Sequence, residues 1–124
     1  MRDVKTLGTF AFLTPHPQLH LMILYNITIK IEQSVHNEWL MWMQQIHIPA
    51  YLATGLFIEY KFCRILGDED EHGVTYALQF LSNDLASFQI YQQLHAKRLQ
   101  DQHARRYPER YVSFRTLMEV VGKS

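Results

Sequence analysis

Seven histidines stand in this 124-residue chain, and imidazole is the side chain best suited to metal ligation and proton transfer near neutrality. Their spacing argues against a metal centre. His36 and His47 fall on nearly the same side of one predicted helix, yet at a 1.5 Å rise per residue they sit roughly 16 Å apart along it. By the same rise, His95 and His103 are about 12 Å apart on a second helix and about 80° apart around it. His16 and His20 have the right interval, but Pro17 inside it prevents the helix that would align them. No His-x-x-x-His, Glu-x-x-His or Cys/His cluster occurs in the core. No metal ligands are assigned.

His95 is the histidine with a chemical setting. On a helical wheel Leu85, Phe88, Tyr91 and Leu99 form the inward stripe of the second helix, and His95 falls in its middle. Tyr25, Tyr60 and Tyr76 point to the same layer from three predicted strands. Buried phenols and imidazoles each need a hydrogen-bond partner. Their convergence predicts a pocket between the second helix and the sheet, with Tyr25, Tyr60, Tyr76, Tyr91 and His95 as its ligand-binding residues. His95 is then the one catalytic candidate, as base, acid or axial ligand. The plainer alternative has His95 bonding one tyrosine or a carbonyl within an ordinary core.

The remaining constellations carry less. Asp68, Glu69, Asp70 and Glu71 lack the glycine and distal glutamate of a calcium loop and read as a solvated hairpin tip. Lys97, Arg98, Arg105, Arg106 and Arg110 gather at a helix C-terminus, where the dipole favours cations. Trp39 and Trp42 have helical spacing and read as core or dimer packing before ligand stacking. Cys63 and Ser113 belong to no nucleophile motif.

The elements that must position these residues follow from periodicity. Ile23 to Ile31 alternates as a strand, with Ile23, Tyr25, Ile27, Ile29 and Ile31 on one face. A helix capped by Ser34 carries the stripe Val35, Trp39, Trp42, Met43 and Ile46, and Pro49 ends or bends it. Strands are predicted over residues 57–66 and 74–80, joined by the acidic hairpin. Asn83 caps a long second helix that runs to about Arg106 and is stopped by Pro108. Residues 111–118 supply the fourth strand, with Val112, Phe114 and Thr116 on the helix side. The opposite sheet face is read as polar: Asn26, Thr28, Lys30, Glu59, Lys61, Cys63, Thr75, Gln79, Ser113 and Arg115.

This β-α-β-β-α-β order predicts an α+β, ferredoxin-like domain, a four-stranded antiparallel sheet with two helices on one face. Residues 1–21 hold no regular period and read as a flexible leader or an upstream-start extension, leaving 22–124 as the single domain. Apolar residues make up 48% and charged residues 19% of the chain, which is globular composition. Twelve basic and twelve acidic side chains cancel, and no apolar run approaches a membrane span, so neither nucleic acid nor membrane is an expected partner. The single Cys63 fits a reducing, cytoplasmic setting.

The segments MILYNITIKIE, HNEWLMWMQQIHIPAYLATGLF, GVTYALQF, YQQLHAKRLQDQHARRY and VSFRTLMEV together resemble a small bacterial family of domains of unknown function, over about residues 22–121. More distantly the layout is similar to the dimeric α/β-barrel superfamily, with its antibiotic-biosynthesis and haem-degrading monooxygenases. That resemblance implies a homodimer joined through its sheets, an arrangement a twofold axis readily closes. From the haem degraders it implies an Asn on the first strand and a His on the second helix, matched by Asn26 and His95. Their tryptophan near the third strand has no counterpart, since Phe80 and Leu81 stand there. The expected function is a cytosolic dimer binding a small, partly aromatic ligand between the second helix and the sheet. The alternatives are a monooxygenase-like or isomerase-like enzyme using His95, cofactor-independent or haem-dependent, and a structural or regulatory dimer without a pocket.

Overall fold

The structure, a computed structural model, describes residues 21–124. The leader expected over residues 1–21 therefore lies, save for Leu21, outside the described residues. Four strands, β1 (Ile23–Ile31), β2 (Glu59–Arg64), β3 (Val74–Ser82) and β4 (Tyr111–Glu119), form one antiparallel sheet in the order β2-β3-β1-β4. With the helices in the two crossovers, this is the ferredoxin-like arrangement. The alternation of β1 has the expected consequence. Ile23, Tyr25, Ile27, Ile29 and Ile31 are all buried under the helices, and burying a side chain of this size stabilises by about 1.5–3 kcal/mol. β2 is shorter than its sequence pattern, because Phe57 packs into the core before pairing with β3 begins.

The first crossover is a helix of changing pitch. A 3-10 turn (Gln33–Val35) leads into α1 (His36–Trp42), a π segment (Met43–His47) and α2 (Ile48–Leu52). Pro49 does not end it. It occupies the first turn of α2, where a missing N–H is tolerated, and the chain turns out at Gly55 in the left-handed region. The wider π turn advances the buried stripe to Trp39, Met43, His47 and Tyr51 and leaves Ile46 exposed, against the expectation for Ile46.

The second crossover differs in the same way. It is two helices, α3 (Leu85–Leu94) and α4 (Ala96–Arg106), meeting at His95 with φ −130° and ψ −26°. Asp84, not Asn83, caps α3, its carboxylate accepting from the Ser87 N–H at 2.8 Å. The break shifts the stripe by one residue: Phe88 and Tyr91 are buried in α3, then Ala96, Leu99 and His103 in α4.

β4 corrects the sequence reading most. Its register sets Arg115 opposite Ile27, Ser113 opposite Ile29 and Leu117 opposite Tyr25, so all three lie on the helix side of the sheet. Val112 and Phe114, opposite Lys30 and Thr28, lie on the outer face, 69% and 62% exposed. A one-residue change of phase moves every side chain across the sheet. Here the turn into β4 sets that phase, passing through Glu109 at φ 59° with the Arg110 carbonyl accepting from the Glu32 N–H.

Candidate functional site

The helix layer and the sheet part along the β1/β4 side. A cavity of about 190 Å³ opens there between α3–α4 and the sheet, lined by Tyr25, Phe88, Tyr91, Gln92, Ala96, Gln100, Arg115 and Leu117. Beyond Gln100 and Arg115 a void of about 10 Å³, room for about one water, continues inward to His47, Tyr51, His103, Tyr111 and Ser113. The two share Gln100 and Arg115 as walls and lie side by side as the outer and inner parts of one cleft region. The outer chamber is on the scale of an apolar cavity that accommodates a single aromatic ring.

Tyr91 is the polar group in its wall that stands out. The residue is fully buried, and its hydroxyl lies near the Tyr25 and Tyr51 phenols without a hydrogen bond of good geometry to either. Burial, reinforced by the neighbouring phenols of Tyr51 and Tyr25, raises its pKa far above the ordinary range, so it keeps its proton. The Tyr25 and Tyr91 rings meet at 5.6 Å between centroids, and Tyr25 meets Phe88 at 5.1 Å. These aromatics come from β1 and α3, which the inward alternation of both elements brings together.

At the inner end two histidines approach each other from different crossovers, 5.4 Å between ring centroids. The Trp39 indole N–H donates to His103 Nε2 at 2.9 Å, which places the proton of the neutral ring on Nδ1. His47 Nδ1 lies 3.0 Å from Gln102 Oε1 and, facing a carbonyl oxygen, carries its own proton there. Burial is the main cause that lowers the His47 pKa to about 4 and that of His103 to about 3; His47 and Arg115 push His103 further down. Both rings are neutral at pH 7.

Of the five residues singled out in the sequence, Tyr25 and Tyr91 line the cleft. Tyr76 sits deeper under α1, its hydroxyl 2.7 Å from His36 Nε2. Tyr60 faces the helix side but lies on the edge strand β2, 46% exposed and remote from β4. His95 does not face the sheet. At the α3–α4 break its ring turns toward the surface, where Nδ1 accepts from the Arg98 guanidinium at 2.7 Å. Asn26 lies on the outer face, accepting from Gln79 Nε2 at 3.2 Å, so the Asn26–His95 match to the haem degraders is not assembled.

Gln100, Arg115, His47 and His103 were missed for two reasons. Arg115 changed face with β4, and the histidines meet only once the π turn and the His95 break are known. A legible signal did exist, since Trp39, Met43, His47 and Tyr51 follow one another at intervals of four. The other candidate features have local explanations. Trp39 and Trp42 are core, with the Arg106 guanidinium over Trp42. Lys97 and Arg105 pair with Asp101, Arg106 with Glu38 and Arg110 with Glu32. The acidic hairpin holds Lys30 and Arg64. It folds back at Gly73, φ 152°, where a Cβ would overlap the Ile31 carbonyl oxygen. Among the described residues no cluster of three metal-ligating side chains occurs, and no helix is long and apolar enough to cross a membrane.

The model of one family, Domain of unknown function (DUF4286), matches residues 22–121. The chain belongs to that family. No curated protein matches its sequence. Among solved structures this DUF4286 chain is similar to a dimeric ferredoxin-like protein from an uncultured marine organism. The TM-score is 0.60 at 7% identity, over 84% of this chain and 99% of that one. It is similar to an ethyl tert-butyl ether (EthD) family protein of Bacillus halodurans, TM-score 0.61 at 13% identity, over 80% and 99%. It is similar as well to SnoaB, a cofactor-independent oxygenase of Streptomyces nogalater, TM-score 0.59 at 9% identity, over 82% and 95%. Likeness at these identities establishes the ferredoxin-like fold.

Proposed function

We propose that the protein is a homodimer in which each protomer binds a small, partly aromatic ligand in the cleft between α3–α4 and the sheet. The observation that carries this reading is the ring-sized cavity itself, walled by Tyr25, Phe88, Tyr91 and Leu117 beside the cation of Arg115. In this reading Tyr25 and Tyr91 are the polar handles, and Phe88 and Leu117 pack against the ring.

The dimer reading rests on the outer sheet face, where Val112 and Phe114 stand exposed on an edge strand. A hollow of about 370 Å³ between them and Ile65 suits the inserted side chains of a second sheet. The dimeric neighbour of the same fold supports that assembly. A cytoplasmic location fits Cys63, an exposed thiol without a partner cysteine.

Binding is favoured over proton-transfer catalysis at this cleft. An imidazole whose pKa is about 3 or 4 is a poor base near neutrality, and His95 is turned away. Haem does not fit either, since a chamber suited to one ring cannot take a four-pyrrole macrocycle and no histidine side chain lines the outer chamber.

The test is an NMR-detected screen of single-ring aromatic compounds against wild type and Tyr91→Phe. Binders whose intermolecular contacts map to Tyr25, Phe88 and Leu117, and which weaken in Tyr91→Phe, are expected. A screen in which no compound perturbs these residues returns the protein to the structural-dimer reading.

A further inference from the structure

Resting on the cleft reading above, we infer that the ligand carries an anionic group, a carboxylate or an equivalent oxyanion, seated on Arg115 with its ring outward between Tyr25, Phe88 and Leu117. Arg115 is the only ionised side chain among those lining either part of the cleft; no aspartate or glutamate faces it. Among the described residues Arg115 makes no hydrogen bond and no ion pair, whereas the arginines at 64, 105, 106 and 110 each pair with a carboxylate. Its place on the sheet is fixed by pairing with Ile27 on the central strand, so the guanidinium rises from the buried face of β4 and not from the outer face.

Its position within the cleft supplies the orientation. Arg115 and Gln100 line both the ring-sized outer chamber and the water-sized void. The outward walls are aromatic and aliphatic, which suits the body of the ligand. The inward void has Ile27, Ile29, Met43 and Leu78 in its walls, but beside Arg115 it also offers Gln100, Ser113 and Tyr111, which suit an oxyanion and one bridging water. A guanidinium presents a planar fork of donors matched to two oxygens, the geometry that favours carboxylate over a single polar atom. The neutral state of His47 and His103 leaves Arg115 as the sole positive charge at this end.

The experiment compares benzoate, phenylacetate and 3-phenylpropionate with their primary amides, which keep ring and length and remove the charge. Binding to the full chain is read by NMR shifts at Tyr25 and Leu117, for wild type, Arg115→Lys and Arg115→Gln. Arg115 is exposed and unpaired, so both variants are expected to keep the wild-type spectrum elsewhere. The expected result is that at least one acid binds tenfold or more tightly than its amide, that Arg115→Gln abolishes this preference, and that Arg115→Lys retains part of it. Amides binding as well as acids at the same residues overturn the anion inference while leaving the cleft reading intact. Shifts absent for acids and amides alike overturn both.

Discussion

The indole N–H of Trp39, on the first crossover helix, donates to Nε2 of His103 on the last, across 2.9 Å of otherwise aromatic core. Both residues are buried, and the bond ties the two crossovers to each other as well as to the sheet. Replacing His103 by Phe keeps a ring of similar shape but strands the indole donor. We expect a loss of about 1–3 kcal/mol, with Trp39→Phe added on top recovering most of the stranded-donor cost. Urea unfolding of the two single variants and the double variant gives the coupling directly. Additive losses would show that the hydrogen bond contributes nothing beyond packing.

The same pair of histidines sets an acid limit on stability. Folding holds His47 at a pKa of about 4 and His103 at about 3, against about 6.5 in the unfolded chain. Well above pH 6.5 neither state is protonated, so the full stability is present. As pH falls through this value the unfolded chain takes up protons that the folded one refuses. Each histidine then withdraws about 1.4 kcal/mol per pH unit until its folded pKa is reached. Urea midpoints measured across a pH series from neutral to mildly acid should therefore fall steeply once the unfolded histidines begin to titrate, and His103→Phe should show a shallower slope, with His47 and His36, whose pKa burial also lowers, carrying the rest. Equal slopes would place the His103 ring in wetter surroundings than the packing indicates.

Tyr91 makes an opposite kind of prediction. Its hydroxyl is buried beside the Tyr25 and Tyr51 phenols without a hydrogen bond of good geometry, so Tyr91→Phe removes a polar group that contributes little bonding in the free protein. The variant is expected to be at least as stable as wild type and up to about 1–2 kcal/mol more stable, while any ligand accepting from the hydroxyl binds less well. Thermal unfolding in ligand-free buffer checks this. A variant destabilised by about 1 kcal/mol, the net contribution of one lost hydrogen bond, would mean that the hydroxyl already has a partner.

How much of this was readable from the residues depends on where the side-chain period stays in phase. In β1 every second residue is Ile or Tyr, nothing interrupts the alternation, and the buried face follows directly. In β4 the inward set is Tyr111, Ser113, Arg115 and Leu117 and the outward set includes Val112 and Phe114. Hydrophobicity therefore points to the wrong face, because the outward apolar residues suit a second sheet and the inward arginine lines a cleft. The helices failed for a related reason. Neither Pro nor Gly marks the break at His95, and a single-residue slip there is enough to turn that imidazole out and His103 in. That Tyr25 and Tyr91 face each other between the second helix and the sheet, beside a cavity, is legible from their positions in the two patterns. The cavity's charge is not, since it depends on a strand register that only the folded sheet defines.

The outer face supplies the last prediction. Val112 and Phe114 lie on the same side of β4, opposite Lys30 and Thr28, with nothing in the described chain to cover them. Exposed apolar side chains on an edge strand also invite non-specific pairing, which a sheet-to-sheet dimer would prevent. In a Val112→Asp, Phe114→Asp double variant the monomer should lose little stability, because neither side chain is buried within it. The dimer should lose two central contacts of about 2 kcal/mol each, raising its dissociation constant on the order of a thousandfold. Native mass spectrometry across a dilution series reads both species. A wild-type chain that stays monomeric at every concentration would remove the dimer, and a double variant that dimerises as tightly as wild type would move the interface off this face.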